Sequence, residues 1–437
     1  MGWQQRGRQW RAWGREWAQT GARRLGPWLR GVGLRARGGE RRLRAFARLA
    51  SGRRLATGPN GRLDGATLRQ ALARLARPFG LRGWRAGVAV ATSALGVLLL
   101  VSLVVSGRAT PRLFPGTARR PQIIGFYQNG WSAIYKSSFP SAQAHQGQIN
   151  TVLAFWYSVD GSGTLHSHSP KPQVTTWIRD HHMRMGVLIN NVPGPSGNNA
   201  GMLTNATARS AAVRHIAAMV HSAGYQEVNI DFELLKPQDR SGLTSFMQAL
   251  RAALPKSVVL SESVFPKVGI PSSINGAYDY AALAKVVDYL VIMLYDNHYN
   301  GGPAGPVSPY SWVVANLNWF LHTDHIPAHQ LVLAAGVYGY DWPVGSTTAN
   351  ELPLSAIDAK RKQLGVASHM DPTSENPYFH YTLHGTRHVV WYQNQTTVLQ
   401  RLRLAQKLGL RGLAIWALGE ETPAVWSVIE QTWGNKP

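Results

Sequence analysis

The sequence predicts an α/β protein, a closed (β/α)8 TIM barrel with a small α+β insertion between the seventh strand and the eighth helix. From residue 121 onward, short apolar runs alternate with helical patterns, and eight such runs are present. Buried strands that alternate with helices form parallel sheets, and eight strand–helix units over about 310 residues suit one closed barrel. An open doubly wound sheet is the structural alternative, but no GxGxxG turn follows the first run.

Each run has the length and apolar composition of a buried strand. The runs are QIIGFYQ (122–128), INTVLAFWY (149–157), MRMGVLIN (183–190), YQEVNIDFE (225–233), SVVLSESV (257–264), VVDYLVIMLY (286–295), QLVLAAGVYG (330–339) and LRGLAIWAL (410–418). Residues 341–394 are too long for a loop and contain apolar pieces of their own. We therefore expect the inserted subdomain there, within a barrel domain that spans residues 122–434.

The N-terminal part has a different charge balance from the rest. Residues 1–85 contain 21 Arg, no Lys and three acidic residues, so they carry most of the net charge of +24. Residues 86–107 contain no charged side chain and are long enough to cross a bilayer core of roughly 30 Å as a helix. The excess of Arg before this segment predicts that residues 1–85 lie in the cytoplasm. The sequence thus predicts a basic, disordered or interfacial cytoplasmic tail (1–85), a single-pass membrane anchor (86–107), a linker (108–121) and an extracellular barrel.

Composition also limits the partners and the chemistry. Because a membrane segment directly follows the Arg- and Trp-rich tail, anionic lipid head groups are the expected contact, and nucleic-acid binding is the alternative that we do not expect. A start codon further downstream would make residues 86–107 a cleaved signal, and the barrel would still be exported. The absence of cysteine excludes disulfides and thiol chemistry. The 15 His include HSH at 166–168, but no HExxH pattern, so we expect no metal and no cofactor.

One predicted strand, YQEVNIDFELL at 225–235, contains carboxylates in an apolar setting. Side chains alternate along a strand, so Asn229, Asp231 and Glu233 share the face that points to the barrel axis. Two acids at positions i and i+2 have Cα atoms roughly 6.5 to 7 Å apart. Two carboxylates at that distance resist ionising together, so the pair should hold a proton near neutral pH. The alternative is a strand end whose acids bind backbone amides or a distant Arg.

These residues resemble the signature of glycoside hydrolase family 18. VNIDFE followed by Leu234 is similar to the spore-cortex-lytic branch of that family, and further matches occur in order: GFYQNGW, FWYSVDGSG, IMLYDNHYNGGPAGPVSP and GLRGLAIWALGEETPAVW. The resemblance covers residues 121–433. Three features depart from the pattern. Gln226 and Glu227 replace the usual Asp-Gly, residues 188–191 (LINN) replace a Ser-Gly-Gly signature, and no LysM wall-binding repeat is visible.

The resemblance implies retaining, substrate-assisted hydrolysis of β-1,4 bonds in N-acetylglucosamine-containing polysaccharide, with peptidoglycan favoured over chitin. Glu233 would be the acid and then the base, Asp231 would orient the substrate acetamide, and Tyr295 would hydrogen-bond the acetamide oxygen. The expected substrate-binding residues are Trp416 as the floor, Asp296, Asn229, Tyr157, Tyr127 and Asn190. A glycan-binding barrel without catalysis, and a scaffold that merely senses glycan, remain as alternatives.

Overall fold

The computed structural model describes residues 121–191 and 201–434, and the strands in these ranges form two sheets. Eight parallel strands build the first sheet. They are β1 (Gln122–Tyr127), β2 (Thr151–Val159), β4 (Arg184–Asn190), β5 (Glu227–Asp231), β6 (Val259–Val264), β7 (Tyr289–Met293), β8 (Leu331–Gly336) and β14 (Gly412–Trp416). A short strand, β3 (Leu165–Ser167), pairs antiparallel with the end of β2.

The barrel closes because its first strand pairs on both sides. Strand β1 is hydrogen-bonded to β14 along one edge and to β2 along the other, and each remaining strand pairs in parallel with its neighbour in the order β2, β4, β5, β6, β7, β8, β14. The predicted eight-stranded parallel barrel is therefore confirmed, and the open doubly wound sheet is excluded.

Helices cover the outside of the barrel, and one further helix, α9, belongs to the insertion described below. In the described ranges they are α1 (Phe139–Ala144), α2 (Pro172–Asp180), α3 (Gly201–Thr204), α4 (Ala206–Ala223), α5 (Arg240–Ala253), α6 (Ser272–Asn275), α7 (Tyr280–Ala284), α8 (Tyr310–Asn318), α9 (Leu354–Leu364), α10 (Gln395–Leu408) and α11 (Pro423–Trp433). Helix α4 shows how the sequence sets the ends. Asn205 caps it by accepting a hydrogen bond from the Ala208 amide, and Gly224 ends it in the left-handed conformation.

The apolar side chains form two layers, as expected for a barrel. Val228, Ile230 and Phe232 belong to the large outer core between the strands and the helices. A smaller inner core includes Phe126 and Trp416 and lies inside the barrel. Residues of one strand therefore alternate between the two cores, and polar side chains that point inward must find partners there.

The insertion expected at 341–394 is a five-stranded antiparallel sheet with one helix. Its strands are β9 (Tyr338–Pro343), β10 (Asn350–Pro353), β11 (His369–Met370), β12 (Pro377–Leu383) and β13 (Thr386–Tyr392), in the order β10-β9-β13-β12-β11, and α9 follows β10 directly. It begins at Tyr338, two residues after β8 ends, so it rises from the carboxyl-terminal side of the barrel.

The three N-terminal segments fall outside the part of the chain that the structure describes, apart from Pro121 at the end of the linker. They are the tail (1–85), the anchor (86–107) and the linker (108–121). Within 121–191 and 201–434, none of the helices has both the length and the apolar composition that a membrane crossing requires.

Candidate active site

A cavity of about 740 Å³ opens at the carboxyl-terminal ends of the barrel strands. Chemistry in this fold is carried at this end, by residues that follow the strands. Both Asp231 and Glu233 line the cavity, together with Tyr295, Asp296 and Trp416. Five of the nine predicted site residues are thus brought together, although they come from three strand ends that are far apart in the sequence.

The backbone of Glu233 is held at two points by one side chain. Its amide donates to Oδ1 of Asn191 at 3.0 Å, and Nδ2 of the same asparagine donates to its carbonyl oxygen at 3.0 Å. The neighbouring carbonyl of Phe232 accepts a hydrogen bond from the buried Tyr278 hydroxyl at 2.6 Å. Because Glu233 lies just beyond the end of β5, these bonds replace the strand pairing that would otherwise fix its position. The sequence predictions did not include Asn191.

Asp231 is the last residue of β5 and is almost completely buried, at 3% exposure. Asn190 pairs with it in register on the adjacent strand β4 and is equally buried. Asn229 lies two residues deeper in the barrel, where its side chain hydrogen-bonds to Ser261 and Ser263. Neither asparagine is among the residues that line the cavity. The structure places Asn190 beside Asp231 and Asn229 beneath it, and not at the surface of the cavity.

Asp296 is held by two tyrosines of the insertion. Its Oδ1 accepts from the Tyr338 hydroxyl at 2.5 Å and from the Tyr340 hydroxyl at 2.9 Å. The pKa of each hydroxyl is held well above its usual value, mainly by burial and next by the negative charge of Asp296. Both hydroxyls therefore remain donors at any physiological pH. Tyr295 packs edge-on against Tyr338, with ring centroids 5.9 Å apart. The adjacent Tyr295 and Asp296 are therefore positioned by the strand β9.

Trp416 forms part of the inner wall of the cavity at the end of β14. It is 7% exposed and contacts two other aromatic rings, Phe126 at 5.2 Å and Phe155 at 6.2 Å between centroids. The peptide between Trp416 and Ala417 is cis. An indole fixed on two sides by aromatic rings offers a rigid apolar surface of the kind that packs against sugar C–H groups.

The structure does not bring Tyr127 and Tyr157, which we expected to form walls of the sugar site, to the cavity. Both belong to the outer core, and neither lines the cavity. In β1 it is Phe126 that points inward, so the next residue must point toward the helices. In β2 the register against β4 shifts between Phe155 and Tyr157, a β-bulge that turns Tyr157 outward, where its hydroxyl lies 3.3 Å from that of Tyr225.

The insertion supplies a charged cluster at the cavity that the sequence predictions did not include. Asp341 and Lys360 both line the cavity and form an ion pair, and the Tyr381 hydroxyl donates to Asp341 at 2.5 Å. His388 Nδ1 lies 2.9 Å from the other oxygen of the carboxylate. Burial lowers the pKa of Lys360, but the hydrogen bonds to Asp341 and Tyr381 outweigh it and raise that pKa above its usual value, so the ammonium stays charged.

The histidines of the HSH stretch have partners within the second strand–turn unit. His166 Nε2 lies 2.8 Å from Asp160, and His168 Nε2 lies 2.7 Å from the Ser158 hydroxyl. Among the residues that the structure describes, no three His, Asp or Glu side chains are grouped so that they could hold a metal ion.

Comparisons with known proteins identify a family and several relatives of this chain. Residues 122–421 match the model of the Glycosyl hydrolases family 18. A curated relative, the cortical fragment-lytic enzyme of Bacillus anthracis, is 25% identical over 72% of this chain and 75% of its own length. The structure resembles that of the Bacillus cereus spore cortex-lytic enzyme, with a TM-score of 0.65, 24% identity and coverage of 73% of this chain and 76% of that one. A chitinase from Chromobacterium violaceum gives a TM-score of 0.66 at 24% identity, over 72% of this chain and all of that chain.

Proposed function

The chain belongs to glycosyl hydrolase family 18, and from this we propose that it hydrolyses β-1,4 bonds next to N-acetylglucosamine by a retaining, substrate-assisted mechanism. The observation that carries the proposal is the placement of Asp231, Glu233, Tyr295, Asp296 and Trp416 around one cavity. This set contains a proton donor, a second carboxylate, a hydroxyl and an aromatic surface, which together meet the needs of a bound N-acetylated sugar.

In the proposed first step, the carboxylic acid of Glu233 protonates the glycosidic oxygen as the bond to the anomeric carbon breaks. The carbonyl oxygen of the substrate's own 2-acetamido group attacks that carbon, so a cyclic oxazolinium forms and the leaving sugar departs with the proton. Asp231 orients the acetamide N–H and balances the positive charge that develops on the ring. Tyr295 donates a hydrogen bond to the acetamide oxygen and aligns it for attack.

In the second step, the Glu233 carboxylate accepts a proton from a water molecule that attacks the same carbon. The oxazolinium opens, the acetamide is restored, and two displacements give net retention. The rigid hold that Asn191 exerts on the Glu233 backbone supports this double role, because the same carboxyl must reach the leaving oxygen and then the water.

The direct test is the substitution Glu233→Gln, which keeps the shape of the side chain and removes its acidic proton. General acid–base catalysis contributes about 10²- to 10⁴-fold, so we expect release of reducing ends to fall at least by about that factor while glycan binding is retained. Turnover equal to that of the wild type would refute the assignment. A wild-type protein that binds N-acetylated glycan without cleaving it would favour the glycan-binding alternative. The presence of the acid Glu233 argues against that alternative.

Peptidoglycan is the polymer that we favour over chitin. The support comes from relatives that bear the name cortical fragment-lytic enzyme, at 25% to 27% identity. We expect mass spectrometry of digests to show more products from peptidoglycan than from chitin oligomers at equal sugar concentration. A preference for chitin oligomers would reverse this assignment of substrate while leaving the reaction type in place.

We also propose that the barrel faces the outside of the cell on a single-pass anchor at 86–107, with anionic lipid head groups in contact with the tail. The proposal rests on the uncharged 22-residue stretch and on the Arg excess before it. Protease treatment of intact cells should remove the barrel and spare an epitope placed in the tail. Loss of the tail epitope with survival of the barrel would reverse the topology.

A further inference from the structure

A continuous line of hydrogen bonds runs along the barrel axis beneath Asp231. It starts at Ser263, whose hydroxyl donates to Oδ1 of Asn229 at 2.9 Å. Nδ2 of Asn229 donates to the Ser261 hydroxyl oxygen at 3.1 Å. Ser261 in turn donates to Oε1 of Glu227 at 3.1 Å. We call these four residues the axial column, and all of them are buried.

Every bond in the axial column points the same way, toward Glu227. A serine hydroxyl has one proton, and because Ser261 accepts from Asn229, that proton is directed away from Asn229 and donated to Glu227. In this arrangement the side-chain nitrogen of Asn229 faces Ser261 and its side-chain oxygen faces Ser263. The Ser263 hydroxyl therefore donates to that oxygen. The order of all three bonds is therefore set by the acceptor at the bottom of the barrel.

Glu227 is well suited to be that acceptor. It is fully buried, and its Oε1 also accepts from the Tyr289 hydroxyl, while Oε2 lies 3.4 Å from Nη1 of Arg184. Burial raises the pKa of this carboxyl. A neutral carboxyl still has a carbonyl oxygen that can accept both bonds, so the column does not depend on the charge of Glu227.

The upper end of the column reaches the cavity. Ser263 lines it together with Asp231. The pairing of β5 with β6 sets Asn229 opposite Ser261 and Ile230 opposite Glu262, and the next residues along the two strands are Asp231 and Ser263. A Ser263 proton committed to Asn229 leaves only oxygen lone pairs for the groups above it. The column thus determines that Ser263 acts as a hydrogen-bond acceptor, and not as a donor, toward groups at the level of Asp231.

We infer that Glu227 is a positioning residue for the proposed reaction, acting through Ser261 and Asn229 to fix the hydrogen-bond polarity of Ser263 beneath Asp231. This inference rests on the proposed function for its kinetic part only. A side chain without an oxygen at position 227 could not terminate the column. Without an acceptor there, Ser261 is free to donate to Asn229 and the amide can turn over.

The test compares two substitutions of similar size at the same position. Glu227→Gln keeps a carbonyl oxygen, whereas Glu227→Met has similar length and no oxygen. We expect Glu227→Met to lower kcat on N-acetylated glycan about tenfold with KM within about twofold, and Glu227→Gln to keep kcat within about threefold. Equal kcat in the two variants would overturn the inference.

Two further variants separate the column from general packing. Ser261→Ala breaks the column itself and should reproduce the loss in Glu227→Met, and it carries the comparison if the methionine variant does not fold. Tyr289→Phe is the matched control, because it removes a hydroxyl that hydrogen-bonds to Glu227 and Ser261 without removing any of the three bonds of the column, and kcat should stay within about twofold. A loss in Tyr289→Phe as large as that in Ser261→Ala contradicts a directional role.

A measurement that needs no turnover completes the test. In protein labelled with ¹⁵N at asparagine, the Asn229 side-chain amide protons should exchange with solvent more slowly in the wild type and in Tyr289→Phe than in Ser261→Ala. Equal exchange in all three would overturn the column. A wild-type protein that cleaves no glycan would defeat the proposed function, and the exchange comparison would still decide whether the column exists.

Discussion

Substitution of Asn191 by alanine should impair catalysis because it releases the backbone of Glu233. The change removes both 3.0 Å hydrogen bonds between this side chain and the Glu233 amide and carbonyl. At about 1 kcal/mol net for each bond, we expect the free energy of unfolding to fall by about 2 kcal/mol. The larger effect is geometric. A displacement of the acid by about 1 Å can cost up to about 10²-fold in rate, so kcat should fall about 10- to 100-fold.

The chain contains a matched control for this substitution. Asn376 holds Ser308 in the same two-point manner, with its Oδ1 2.9 Å from the Ser308 amide and its Nδ2 2.8 Å from the Ser308 carbonyl. Neither Asn376 nor Ser308 lines the cavity. Asn376→Ala should therefore destabilise the protein at least as much as Asn191→Ala and leave kcat nearly unchanged.

The assay pairs initial rates of reducing-end release with thermal unfolding of each variant. Rates are measured well below both unfolding transitions, so that the folded fraction is the same. Wild-type kcat in Asn191→Ala, or an equal fall in kcat in both variants, would show that the backbone hold on Glu233 does not matter for the reaction.

Three further predictions follow from the site. Trp416→Ala should raise KM for N-acetylated oligosaccharides about tenfold or more, because it removes the aromatic surface under the sugar, and calorimetric binding to the Glu233→Gln protein checks this without turnover. Tyr157→Phe should leave kcat and KM within about twofold, since its ring lies in the outer core, and a tenfold loss would restore it to the site. Burial raises the pKa of Glu420 to about 8. The unfolded chain releases that proton near pH 4.5, so stability should fall as pH rises from about 4.5 to 8, by at most about 5 kcal/mol, and Glu420→Gln should flatten the slope in denaturant titrations at several pH values.

The barrel and its two carboxylates could be predicted because their signals are local. Eight apolar runs give eight strands, and the alternation along β5 sets Asp231 and Glu233 on the inner side while Val228 and Ile230 face the helices. The motifs that resemble family 18 added Tyr295 and Trp416, and the structure brings both to the same cavity.

The placements of Tyr127 and Tyr157, which differ from the expectation, have equally local causes. The apolar run at 122–128 does not show which of Phe126 and Tyr127 points inward. Both side chains are aromatic, and the strand would be buried whichever of its two faces pointed to the barrel axis. The bulge in β2 adds one residue between Phe155 and Tyr157, and nothing in the composition of FWY marks it. A single-residue shift reverses the face of every side chain beyond it.

The supporting contacts could not have been found from sequence because they join distant parts of the chain. Asn191 reaches Glu233 across 42 positions, and Tyr340 reaches Asp296 across 44. The buried Glu227 has the same kind of distant partners, since Ser261 and Tyr289 lie 34 and 62 positions away in the sequence.

The most direct test of substrate-assisted hydrolysis compares one purified peptidoglycan before and after chemical removal of its N-acetyl groups. The acetamide carbonyl is the proposed nucleophile, so the wild-type protein should release reducing ends from the N-acetylated polymer and essentially none from the deacetylated one. Comparable rates on the two polymers would contradict the mechanism, because they would require a nucleophile other than the substrate's acetamide.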